Sequence, residues 1–286
     1  MRLGFRHTAM QAVCTVLVLC CAISLLRINE AQTVFGEDSD GVRLPILMYH
    51  SILKDTARQG KYVVSPAVLA ADLDALQKRG YETVTVSDLL AYVNDGKPLP
   101  EKPVMLTFDD GYFNNYVYAY PLLRERGMRA VVSIIGSQTA LFTENGEENA
   151  YWSHVTLEHL HTMCDVFEVQ NHSWSLHEYG ERRGCLRMRG EDEKRYESLL
   201  REDTDQTQQL LAEAGLPIPQ CYTYPFGACS AESERVLKEM GFLCTLGCEE
   251  RVNTVTRQPD CLYQMGRFNR AAGESTENYL GRALGE

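Results

Sequence analysis

Short apolar runs of strand length alternate with amphipathic, helix-length segments from Leu44 to Leu246. No other feature constrains the fold as much. Strands are expected over 44–49, 81–86, 103–108, 130–135, 166–170, 221–224 and 242–246. Helices are expected between them, over 65–79, 87–94, 114–126, 156–164, 191–214 and 231–240. The first opens on Ser65-Pro66, a capping serine followed by a proline at the first helical position, and stops at Gly80. Residues 136–155 read as a long acidic loop, and residues 178–190 as a basic, glycine-containing surface loop. Strands alternating with helices predict an α/β class with mostly parallel strands. About seven such units suit one barrel better than two separate domains. The chemistry is then expected on loops after the carboxyl ends of the strands.

Composition excludes several other classes. The chain has 286 residues, 44% of them hydrophobic and 23% charged, which is ordinary for a globular protein and not for a disordered one. Acidic residues number 39 against 28 basic ones, a net charge of −11. With no basic stripe, such a chain is not expected to seek nucleic acid. Arg2, Arg6 and His7 precede an apolar run from about Thr8 to Leu26. A run of about 19 residues is long enough to span a bilayer, with its basic end in the cytoplasm. Residues 1–30 are therefore expected to form a cytoplasmic tail with a signal-anchor, the alternative being a cleaved signal peptide. Residues 31–41 read as a linker and 42–286 as one folded domain, outside the cytoplasm. Of ten cysteines, three lie in the apolar run and seven remain. One or two disulfides would suit that compartment, although Cys221 and Cys244 sit in apolar runs as buried small hydrophobes would.

Candidate chemical groups fall at the predicted strand ends: His50, the Asp109-Asp110 pair before Gly111, His172 and His177, and Tyr224-Pro225-Phe226-Gly227. Adjacent carboxylates repel unless a cation separates their roles, although an Asp-Gly at a strand-to-helix turn also commonly caps a helix. His172 and His177 are five apart, so neither a helix nor a strand aims both rings at one point. An irregular turn after a strand would let them share an ion. One aspartate and two histidines leave open positions on a metal, as a catalytic ion needs. The same triad suits a non-haem iron oxygenase. The second aspartate favours hydrolysis, with Asp109 as base toward metal-bound water and His50 as acid toward the leaving group.

These residues resemble the polysaccharide deacetylase family, carbohydrate esterase family four, also called the NodB homology domain. Thr107-Phe108-Asp109-Asp110-Gly111-Tyr112 matches its first motif in full. His172-Ser173-Trp174-Ser175-Leu176-His177 is one residue longer than its usual second motif. That spacing, and Leu47-Met48-Tyr49-His50, are similar to the extracellular poly-N-acetylglucosamine deacetylase branch typified by PgaB and IcaB. The resemblance implies an irregular (β/α) barrel with Asp109 as general base and His50 as acid. It implies a divalent cation on Asp110, His172 and His177, zinc by default with nickel or cobalt as alternatives. It places the oxyanion at the backbone N–H of Phe226, beside Pro225. Tyr112, Trp174 and Phe226 are candidates to stack on sugar rings. Thr223 stands where many members carry an arginine beside the base, so Asp109 needs another cation or a raised pKa. No L-x-H motif follows; Met265-Gly266-Arg267-Phe268 occupies that part of the chain.

The expected function is hydrolysis of N-acetyl groups on an extracellular glycan containing N-acetylglucosamine, or on peptidoglycan, by attack of metal-bound water. The expected partners are that glycan and, through the N-terminal segment, a membrane; no protein partner is expected. A glycan O-acetyl esterase is the alternative chemistry. A non-catalytic glycan-binding protein on a decayed deacetylase fold is the alternative class.

Overall fold

The computed structural model describes residues 41–178 and 180–285. The expected signal-anchor and all but the last residue of the expected linker lie outside the described residues. Among the described residues, no helix is long and apolar enough to cross a membrane.

The strands are β1 (Val42–Leu44), β2 (Ile46–Tyr49), β3 (Ser51–Ile52), β4 (Val63–Val64), β5 (Glu82–Thr83), β6 (Pro103–Phe108), β7 (Ala130–Ile134), β8 (Phe167–Asn171), β9 (Cys221–Thr223), β10 (Cys244–Leu246), β11 (Asn253–Val255) and β12 (Phe268–Asn269). The α-helices are α1 (Pro66–Lys78), α2 (Val86–Asp95), α3 (Tyr120–Glu125), α4 (Gly136–Asn145), α5 (Leu157–Thr162), α6 (Glu193–Glu213), α7 (Ala231–Glu239) and α8 (Thr276–Leu284). The main sheet runs β10-β9-β8-β7-β6-β2-β12, with β5 as a branch on β6. All its pairings are parallel. The sheet curls. Its two ends meet through one parallel bridge, Leu246 to Met265, just before β12. Met265 donates its N–H to the Thr245 carbonyl, and Gly247 donates to Met265, both at 2.9 Å. The expected α/β class holds, as a curled parallel sheet with helices around it.

Local sequence explains the elements. In β6, Pro-Val-Met-Leu-Thr-Phe is buried at all six positions, as a parallel strand covered on both faces requires. In α1, Leu69, Leu73 and Leu76 recur at helical spacing and are fully buried. Each such leucine contributes roughly 1.5–3 kcal/mol. Ser65 caps α1 by accepting the Val68 N–H through its hydroxyl. The fourth buried residue of α1 is charged. Asp72 accepts from Arg270 Nε (2.7 Å) and Nη2 (3.2 Å), the Tyr49 hydroxyl (3.1 Å) and the Thr276 hydroxyl (2.6 Å). This network ties α1 to β2, to the turn after β12 and to α8.

Two expectations need correction. Residues 136–155 are not one loop, since α4 occupies their first half. Its apolar pattern is too thin to read, with Phe142 its one large buried apolar side chain, and the residue before it, Ile135, cannot cap. Its first N–H groups are satisfied from outside: Gly136 donates to Ser173 O (3.0 Å) and Ser137 to Trp174 O (3.2 Å). The elements after Leu246, namely β11, β12 and α8, were not expected. The seven cysteines among the described residues are all free thiols. Cys221 and Cys244 are buried opposite one another on β9 and β10.

Candidate active site

Parallel strands β2, β6, β8 and β9 deliver His50, Asp109-Asp110, His172 and Tyr224-Pro225-Phe226 at their carboxyl ends. These ends border a cavity of about 670 Å³. His50, Asp109, Asp110, His172, His177 and Phe226 all line it, as does Tyr112. Trp174 and Pro225 do not line it. Trp174 packs instead behind the loop, close enough to Gly136 that a Cβ there would lie 2.7 Å from its ring. Among the described residues, three of the four non-glycine residues at positive φ are here: Asp110 (69°), Ser173 (73°) and Phe226 (58°). Such conformations cost on the order of 1 kcal/mol and collect at functional sites.

Asp110, His172 and His177 converge as one group. Both imidazole Nε2 atoms lie 3.4 Å from Asp110 Oδ1. His172 Nδ1 lies 2.7 Å from the Thr223 carbonyl, which can only accept, so Nδ1 carries a proton; in the neutral ring Nε2 then keeps its lone pair. Asp110 Oδ1 is buried with no hydrogen-bond partner. A buried carboxylate oxygen facing two ring nitrogens without a hydrogen bond fits a cation among them. A tetrahedral ion with bonds of about 2.1 Å would hold its ligands about 3.4 Å apart, which is the separation of Asp110 Oδ1 from each of the two nitrogens. Burial pushes the Asp110 carboxyl up, but the three histidines around it hold it well below the ordinary carboxylate range.

Asp109 is wired differently. Arg267, fully buried, grips it with Nη1 to Oδ1 at 2.7 Å and Nη2 to Oδ2 at 2.8 Å. Arg267 also donates from Nε to the Gly247 carbonyl at 2.8 Å and from Nη1 to the Thr107 hydroxyl at 3.2 Å. Burial alone would raise the Asp109 pKa; Arg267, together with His172 and His50, outweighs it, and the carboxyl is held below its ordinary value. The side chain missing at Thr223 is thus replaced from the other end of the sheet. Gly266 makes room, because a Cβ there would lie 2.6 Å from the Glu249 carbonyl. His50 packs on Tyr62 with ring centroids 4.7 Å apart, and its Nε2 lies 3.9 Å from Asp109 Oδ2. Burial pushes its pKa down, and Arg267 pushes the same way.

The reading of the sequence missed Arg267 and His154. His154 lines the cavity, and its Nδ1 lies 2.8 Å from the Asp110 carbonyl, bracing the strained residue. Arg267 had a physical signal, being an arginine between apolar neighbours and hence a buried cation that needs a carboxylate.

The polysaccharide deacetylase family matches residues 96–244, more than half of the chain. The chain belongs to this family. YxkH of Bacillus subtilis (strain 168), which carries the same family name, is 39% identical over 115 residues, 40% of each chain. The poly-beta-1,6-N-acetyl-D-glucosamine N-deacetylase of Escherichia coli (strain K12) is 25% identical over 218 residues, 68% of this chain and 32% of that one. The chain thus spans two fifths or less of the length of these curated relatives. The structure of IcaB from Ammonifex degensii superposes with a TM-score of 0.66 at 26% identity, covering 82% of this chain and 93% of that one. This member of the deacetylase family therefore shares its fold with IcaB.

Proposed function

We infer that this deacetylase-family chain removes N-acetyl groups from an extracellular glycan containing N-acetylglucosamine, using a divalent cation held by Asp110, His172 and His177. Zinc is the first choice for such nitrogen and oxygen donors, with nickel and cobalt as alternatives. The carrying observation is the buried, unpartnered Asp110 Oδ1, 3.4 Å from both imidazoles, beside a second carboxylate locked to Arg267. The name of the Escherichia coli relative supports the N-acetyl substrate class. We further propose action outside the cytoplasm, with residues 1–30 as a membrane anchor or a cleaved leader.

When bound, the cation would lower the pKa of a water and polarise the acetyl carbonyl. The residues of the chain supply the rest. Asp109 is kept ionised and oriented by Arg267, so it can take the proton of the attacking water. His50, across 3.9 Å, gives a proton to the departing amine. Its lowered pKa makes the imidazolium a ready donor. Phe226, at the rim with its ring 4.4 Å from that of His177, is suited to offer its backbone N–H to the oxyanion. Tyr112 at the cavity wall is suited to pack on a sugar ring.

Acetate release by the full chain from N-acetylglucosamine oligomers is expected, and a chelator is expected to abolish it. Release unaffected by the chelator would refute the metal-dependent reading. Replacement of His50 by glutamine is expected to lower release from the oligomers about 10²–10⁴-fold. An acetyl-ester sugar should lose much less, because an alkoxide leaves more easily than an amine. Equal losses on both substrates would remove His50 from the acid role. Activity confined to the ester would move the assignment to an O-acetyl esterase.

A further inference from the structure

We propose that Asp203 is a positioning residue for the cation site: its buried carboxylate fixes the turn that lets His172 and His177 converge. The inference rests on the metal assignment above. Two histidines five residues apart meet at one point only if the residues between them take a defined irregular path. Here that path is held from two sides. The first turn of α4 donates to its carbonyls, Gly136 N–H to Ser173 O and Ser137 N–H to Trp174 O. On the other side, Asp203 of α6 takes its donors. Oδ1 accepts the Trp174 N–H at 2.9 Å; Oδ2 accepts the Ser175 N–H at 2.8 Å and the Ser175 hydroxyl at 3.1 Å. Asn171 completes the clamp, its Oδ1 accepting the Ser173 N–H at 2.8 Å and its Nδ2 donating to the Thr204 carbonyl at 3.2 Å.

Asp203 is 5% exposed, so its carboxylate is largely sheltered from water. A carboxylate suits the place because both oxygens must accept at once. Asparagine would turn an NH2 group toward a backbone N–H and free one end of the turn. Asp203 touches neither the cavity nor the metal ligands. Its effect passes through the backbone of residues 174 and 175.

The test is the dissociation constant of the metal-free full chain for Zn(II), measured by competition with a chromophoric chelator. Wild type is expected to bind one equivalent. Asp203→Asn is expected to weaken binding about 10–100-fold, the range for residues that orient metal ligands. Ser175→Ala, which removes one of the three bonds, should give a smaller weakening in the same direction. Asp205→Asn, an exposed residue on the same helix, should leave the constant unchanged. A folded Asp203→Asn chain with the wild-type constant overturns the proposal. If that variant does not fold, Ser175→Ala decides, and an unchanged constant there overturns it too. A wild-type chain that takes up no Zn(II) refutes the metal assignment, and the proposal with it.

Discussion

Replacing Arg267 by methionine is expected to lower acetate release about 10²–10⁴-fold, the usual contribution of a positioned base. Arg267 is the main cation opposing the desolvation of Asp109, which is 2% exposed. Without it, only the neighbouring His172 and His50 oppose burial, and the carboxyl pKa rises. The base is then protonated over more of the pH range. The acid limb of kcat/KM should therefore move to higher pH, since deprotonated Asp109 is the active form. Stability should fall as well, by about 3–5 kcal/mol, because a buried carboxylate loses its partner. Adding Asp109→Asn to Arg267→Met should restore much of the stability and none of the activity. That split separates the electrostatic role from a packing role. An Arg267→Met enzyme with an unshifted acid limb would show that Arg267 does not control the base.

The second large effect lies away from the cavity. Asp72→Ala is expected to destabilise the fold by about 3–5 kcal/mol, because it strands the buried Arg270 guanidinium. For a domain of this size that is a drop of roughly 6–20 °C in Tm. Thermal or urea unfolding reads it directly. The double change Asp72→Ala with Arg270→Leu should recover part of the loss, since neither charge is then left alone. A single-variant loss under about 1 kcal/mol would mean that the network is solvated or redundant.

Both predictions involve contacts that the sequence concealed, for one physical reason. The strand ends were legible because apolar runs stop where chemistry-bearing residues begin. Phe108 to Asp109 and Gln170 to His172 are such transitions. The convergence of Asp110, His172 and His177 was expected from the chemistry of their types. Arg267 pairs with Asp109 across 158 residues, and Arg270 with Asp72 across 198. No periodicity or spacing reports a pairing of that range; only the closing of the sheet creates it. Helix α4 was hidden for the opposite reason. It follows β7 directly, has a weak apolar stripe, and its first N–H groups find carbonyls of the His172–His177 turn instead of a capping side chain.

The bridge between Leu246 and Met265 has a consequence for how an active molecule comes into being. A ribosome delivers the chain from the N-terminus, so Asp109 and both histidines exist long before Arg267 does. Until residues 265–276 are in place, the Asp109 carboxyl has no guanidinium, and Asp72 has the Tyr49 hydroxyl but neither Arg270 nor Thr276. The most distant contacts in sequence are the ones that complete the electrostatics, and contacts of that range are slow to form. Catalytic competence should therefore arrive last and all at once, when the late segment seats. On the proposed reading, a chain halted before residue 265 would hold Asp110, His172 and His177 while Asp109 still lacked its guanidinium.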